Sequence, residues 1–403
     1  MLGEPAVRPV VLAHVVSLTG SHVTGLAVPT LAILTLDAGP FAAALLFALG
    51  HCVRGLIGPL LGVLVDRASS PRAVLVGADL AHAVVVATVP LAYLLGAVSM
   101  PLLFAVAAAG GVLGGVSELS VQASLPWLVP RERLVSANSA LAGARAAGTV
   151  TGPGLAGLLV QALGAATAMV ADAVSYLLSA VLLRRLRVTR SAAPSSRGLS
   201  LLAAFLEGGR VLRGRPVLIR LALAGAALNL GGAGIGALYV LYAYRTLGLG
   251  PLVVGLTVAV YSASSIAAVL TVRRLVDRLG MARTVSTFAP VAALALALIP
   301  AASLGHPIPL LVVYEAVFGY CGTVWLVAAT TLQQTLVPAD ALARVTALTR
   351  SVGTLAIPAG ALAGGAAAEL AGPTPVLAAL ALVALLGTLT VLRRPRHPHP
   401  PPP

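Results

Sequence analysis

Apolar runs follow one another almost end to end along this 403-residue chain. Many reach about 20 residues, the length an α-helix needs to cross a hydrocarbon core of about 30 Å. Charged residues make up only 9% of the chain, against 59% hydrophobic, and the mean hydropathy is +1.00. A water-soluble domain carries roughly a quarter charged residues. This chain has too little polar surface for that, and it reads as a polytopic membrane protein.

Segmenting at breakers predicts twelve spans, at 9–36, 41–64, 73–96, 101–128, 136–162, 165–186, 216–244, 252–273, 284–304, 308–335, 344–370 and 374–392. The formal charge of +14 would suggest a nucleic acid in a soluble chain, but its placement argues otherwise. All 26 basic residues are Arg, and they gather in alternate gaps between spans. That is the positive-inside pattern, and it puts both termini in the cytoplasm. Arg245 is the exception, in an otherwise Arg-poor gap. The first run, Pro9 to Leu36, far exceeds the core of a cleavable signal. Cys52 and Cys321 fall inside apolar runs of opposite halves, which reads as packing rather than a disulfide.

The expected fold is all-α, with twelve transmembrane helices in two six-helix bundles related by a pseudo-twofold axis. Residues 1–186 form the first bundle and 216–392 the second. A linker over 187–215 joins them, with an amphipathic helix at the membrane surface predicted from "LSLLAAFLEGGRVLRGR". The Pro-rich tail 393–403 is expected to be disordered and cytoplasmic.

An internal repeat supports the two halves. "LVDRASSPR", Leu64 to Arg72, returns 211 positions later as "LVDRLGMAR", Leu275 to Arg283. "LVPRERL" at 128–134 returns as "LVPADAL" at 336–342, an offset of 208. In the next span, Arg145-x2-Gly148-x4-Pro153 returns as Arg350-x2-Gly353-x4-Pro358, an offset of 205. Parallel halves of this kind rock about a site near the midplane.

With these motifs in place, the chain resembles the major facilitator superfamily across essentially its whole length. Gly62, Asp66, Arg67 and Arg72 match the family's loop between spans 2 and 3; the second copy keeps Asp277, Arg278 and Arg283 but has Arg273 where Gly stood. Gly148, Gly152, Pro153 and Gly157 resemble the fifth-span motif of the superfamily's antiporters. "GADLAHA", "VPRERLVSANSA", "ADAVSYLLSA" and "LEGGRVLRGRPVL" are similar to the branch of enterobactin exporters and macrolide pumps. The resemblance implies a cavity lined by spans 1, 4, 7 and 10.

No metal-ligand spacing and no phosphate-cradling loop occurs, so no cofactor, metal or enzymatic site is expected. Charges buried in a bilayer are costly, and they are the better lead. Glu118 in span 4 and Arg145 in span 5 lie at matched depth, roughly 15 Å from the cytoplasmic face. They are expected to pair, either statically or as a proton-exchanging switch. Gln122 continues the Glu118 stripe. Glu315 in span 10 reads as a substrate or proton group, or as a solvated residue of an outer vestibule. His14, Arg54 and Asn229 are further cavity candidates, with His22, His51 and Tyr239 beside them. Asp79 and Asp172 are expected to be structural. Asp66, Arg67, Arg72, Asp277, Arg278 and Arg283 are expected to form a cytoplasmic gate, the two Asp accepting from neighbouring helix N-termini. Plain charge anchoring by Arg is the simpler alternative.

The sequence therefore predicts a monomeric plasma-membrane exporter of a small organic molecule, driven by proton antiport. An importer or lysolipid flippase of the same fold, or a non-transporting receptor, are the alternatives.

Overall fold

The computed structural model describes residues 8–51, 70–130, 133–184, 215–337 and 339–392. Among them every regular element is helical. The helices are α1 Arg8–Leu34, α2 Pro40–His51, α3 Pro71–Leu94, α4 Met100–Leu128, α5 Leu134–Leu163 and α6 Ala165–Leu183. The second half contributes α7 Pro216–Arg245, α8 Pro251–Leu279, α9 Met281–Leu304, α10 Pro307–Leu336, α11 Ala339–Ala371 and α12 Pro373–Leu389. Ten of the twelve are long and apolar enough to cross a membrane; α2 and α12 are shorter apolar helices. The linker with its predicted amphipathic helix, the tail, Cys52, Arg54, Asp66 and Arg67 lie outside the described residues.

Proline sets the starts. It opens α3, α4, α7, α8, α10 and α12, where its fixed φ suits the first turn and its missing N–H leaves nothing unsatisfied. Turns between odd- and even-numbered helices are short and lie at one end of the bundle, the short-turn end. Gly164 alone separates α5 from α6 and Gly372 alone separates α11 from α12, at φ +81° and +80°. Only glycine accepts that backbone without a penalty, and the two are 208 positions apart.

Packing repeats in the two halves. In the first, α1 lies against α5 and α6, and α3 against α4 and α6. In the second, α7 lies against α11 and α12, and α9 against α10 and α12. The outward faces of α6 and α12 expose Val174, Leu177 and Leu178, and Leu382, Val383 and Leu386. Such a belt is excluded from water only by lipid.

One boundary differs from expectation. Span 8 was predicted to stop at 273, yet α8 continues to Leu279 and a single residue, Gly280, turns the chain into α9 at Met281. The second copy of the charged nonapeptide is thus mostly helix. Apolarity marks where a span leaves the membrane, not where its backbone hydrogen bonding ends. Arg, Leu and Val carry the helix on without a breaker.

Candidate functional site

The halves enclose a cavity of about 820 Å³. All six helices of the first half line it, together with α7, α8 and α10. That volume suits a drug-sized molecule.

Its charged wall centres on Arg145 of α5. Arg145 Nη2 lies 3.3 Å from Glu118 Oε1 of α4, and Arg145 Nε donates to His14 Nε2 of α1 at 3.1 Å. His14 Nε2 accepts there, so its ring is neutral, with its proton on Nδ1. Nη2 and Glu118 are close enough to attract but lack hydrogen-bond alignment, and Nη2 makes no other bond among the described residues. A third of each side chain faces the cavity, 33% for Arg145 and 39% for Glu118. The trio joins three helices while staying within reach of water.

Glu315 of α10 lies in the cavity wall on the other half. The vestibule alternative fails, because only 5% of Glu315 is exposed. The Tyr239 hydroxyl lies beside it and bonds Thr257 Oγ1 at 2.8 Å. Tyr314, also in the wall, has its ring centre 6.3 Å from that of Tyr239.

Asp172 and Asp79 are buried in bonding networks. Thr24 and Ser175 donate to Asp172, tying α1 to α6, and Ser117 and Ser179 donate to Asp79, tying α4 and α6 to α3. His22 and His51 line the cavity. Asn229 does not: it donates from α7 to the Gly353 carbonyl of α11 at 3.0 Å. That bond turns its side chain toward α11, a rotation that depth alone does not reveal. The Gln122 side chain lies outside the described ones.

The span 5 glycines divide by face. Gly148 and Gly152 abut Leu18 and His22 of α1, in the same half. Gly157 meets the other half: a Cβ there would lie 2.6 Å from the Pro251 carbonyl oxygen and 3.2 Å from Gly255 Cα. Pro153 carbonyl and Gly157 backbone in turn fill the space beside Gly255. α5 and α8 therefore touch backbone to backbone, as small residues permit.

Around this contact, at the short-turn end, the halves are clasped. Gln161 Oε1 at the end of α5 accepts the Leu252 N–H at the start of α8, at 3.1 Å. Glu369 Oε1 near the end of α11 accepts the Phe41 N–H at the start of α2, at 3.0 Å. The acceptors are 208 positions apart and the donors 211, the offsets of the sequence repeat. Arg245 of α7 pairs with Asp37 after α1 and donates to the Ile33 carbonyl, and Thr30 bonds Tyr244 at 2.9 Å. Sequence reasoning missed Gln161, Glu369 and Asp37, although the repeat offsets would have matched the first two.

At the opposite, linker end, Arg72, Arg278 and Arg283 are exposed. Among the described residues Asp277 caps no helix N-terminus; its ion pair is with Arg273 on its own helix, at 3.9 Å and exposed. Arg273, four residues before Asp277, captures it locally.

The comparisons with known proteins agree on one family. The model of the Major Facilitator Superfamily matches residues 10–356, and again 221–403. Uncharacterized MFS-type transporters of Mycobacterium bovis and Mycobacterium tuberculosis are each 38% identical over 102 residues, which is 25% of this chain and 23% of each relative's length. The fold is similar to that of the nucleoside transporter NupG, with TM-score 0.75, 13% identity and 95% of this chain and 98% of that one covered. It is also similar to a bacterial homologue of the iron transporter ferroportin in an inward-facing state, with TM-score 0.70, 20% identity and 96% of each chain covered. With ten helices among the described residues long and apolar enough to cross a membrane, this is a multi-pass membrane protein, and the chain belongs to the major facilitator superfamily.

Proposed function

We propose that this transporter exports a small organic molecule in exchange for protons, through alternating access to the cavity between its halves. The observation that carries the reading is the Glu118–Arg145 pair, 3.3 Å apart and one-third exposed to the cavity. A static pair is best kept dry; this one can be reached by a proton. Protonating Glu118 removes Arg145's counter-charge and leaves its donors to His14 alone. Releasing the proton restores the pair. The two protonation states thus favour different arrangements of α1, α4 and α5, which is the differential interaction a conformational cycle needs.

The Arg-rich linker end is cytoplasmic in this reading, and the clasped short-turn end faces outside. The state described is then closed outside. Asp66, Arg67, Arg72, Arg278 and Arg283 would hold the cytoplasmic side when the outside opens, with Asp277 drawing on Arg273. Export, and the kinship with enterobactin and macrolide pumps, rest on the span 5 motif and the quoted branch segments. The protein is read as a monomer in the plasma membrane.

The test uses everted vesicles containing the protein and a trapped pH-sensitive dye, challenged with a panel of antibiotics, siderophores and lysolipids. Proton movement on adding a compound is expected, and its loss in Glu118→Gln. Equal proton coupling in that variant would overturn the assignment of Glu118.

A further inference from the structure

The cavity has the opposite sign to the chain around it. The chain carries a net charge of +14, yet among the described residues the cavity is lined by three carboxylates, Glu118, Asp172 and Glu315, against one guanidinium, Arg145. Two of the acids are accounted for. Glu118 has Arg145 beside it, and Asp172, wholly buried, receives the hydroxyls of Thr24 and Ser175.

Glu315 is different. No cation pairs with it among the described residues, and the Tyr239 hydroxyl beside it carries no charge to match it. A carboxylate withdrawn from water without a counter-charge is costly to keep. Here it is kept at a cavity wall, where a ligand can supply the missing charge.

The surroundings fit that purpose. Tyr239 and Tyr314 line the same wall, and Phe318 stacks on Tyr314 with ring centres 5.6 Å apart, followed by Tyr261 at 6.1 Å from Phe318. Aromatic residues make up only 4% of the chain, yet two of them line the cavity with this acid and two more follow in the same ring cluster. Ring faces attract cations within about 6 Å, and more strongly when water is excluded. Rings also accept the apolar body of an organic ion, which a bare metal ion lacks. The arginine across the cavity is already matched by Glu118, so it adds little repulsion.

We propose that Glu315, Tyr239 and Tyr314 form the cargo site, and that the cargo is an organic cation with an apolar body. This rests on the transporter reading and divides the labour: Glu118 handles the proton and Glu315 the cargo.

The test is equilibrium binding of radiolabelled tetraphenylphosphonium to the purified full-length protein in detergent, without any gradient. Tetraphenylborate, of the same shape and opposite charge, is assayed in separate samples because the two ions precipitate together. Saturable phosphonium binding, and no saturable borate binding, are expected. Glu315→Gln should weaken it at least about tenfold, and Glu315→Asp should restore part of the loss. Thermal melting shows whether each variant is folded, and Gly143→Ala, outside the cavity wall with open space beside it, should bind within about threefold of wild type. Wild-type affinity in folded Glu315→Gln, saturable borate binding as tight as the phosphonium's, or no saturable phosphonium binding would each overturn the proposal. If phosphonium binds but no compound moves protons in vesicles, proton exchange fails alone. If a neutral compound moves protons but phosphonium does not bind, the cation site fails alone.

Discussion

Glu369 on α11 accepts the Phe41 N–H on α2 at 3.0 Å, and Gln161 on α5 makes the matching bond to Leu252 on α8. One side chain near the end of a helix in each half caps the first turn of a helix in the other. A carboxylate at a helix N-terminus gains about 0.3–1 kcal/mol from the dipole, screened by salt at an exposed site.

Removing both caps should therefore loosen the short-turn end. With about 1 kcal/mol lost, Gln161→Ala with Glu369→Ala should shift the closed-to-open ratio about fivefold. Spin labels at the exposed positions Leu95 and Leu304, one in each half, report it in a cysteine-free background. A longer distance component should grow in the double variant; an unchanged distribution would deny the clasp a role.

Gly157→Val should block the same closure from within. The added side chain would sit 2.6 Å from the Pro251 carbonyl oxygen, which belongs to backbone and cannot rotate away. Overpacking of this kind costs roughly 1–3 kcal/mol, so transport should fall about tenfold or more. Gly143→Ala, on the same helix with open space beside it, should leave transport intact and melting unchanged or raised.

Asp37 holds a backbone that glycine prefers. Its φ is +52°, and its counterpart 211 positions on is Gly248 at +65°. The left-handed region costs an L-residue roughly 1–2 kcal/mol, here offset by the pair with Arg245. Asp37→Ala loses the pair and keeps the strain, whereas Asp37→Gly loses the pair and sheds the strain. Thermal melting should rank wild type and Asp37→Gly together, above Asp37→Ala.

How much of this was readable beforehand follows from periodicity and depth. The twelve helices came from apolar runs, because a bilayer admits few other solutions. Glu118 and Arg145 were singled out by equal depth on adjacent spans, and they lie 3.3 Å apart. Depth says nothing of rotation about a helix axis, which is why Asn229 was placed in a cavity it does not line. Nor does a vestibule estimate from span position foresee Glu315 buried in a wall it shares with Tyr239 and Tyr314. The clasp escaped because polar residues at span ends look like ordinary interface residues until the partner half is in view.

Arg145 should be harder to leave alone than to remove with its partner. Glu118→Gln leaves an unmatched guanidinium in the membrane, and the double variant with Arg145→Met removes the charge altogether. Melting in detergent should drop in Glu118→Gln and recover at least partly in the double variant. Additive losses would mean that the two side chains are energetically independent.

The most direct test of the account is pH-driven accumulation in proteoliposomes holding the purified protein, compared with downhill flux of the same compound. Wild type is expected to accumulate its cargo against a concentration gradient when protons flow the other way. Glu118→Gln is expected to let the cargo equilibrate downhill yet fail to concentrate it. Accumulation by Glu118→Gln equal to wild type would contradict the account.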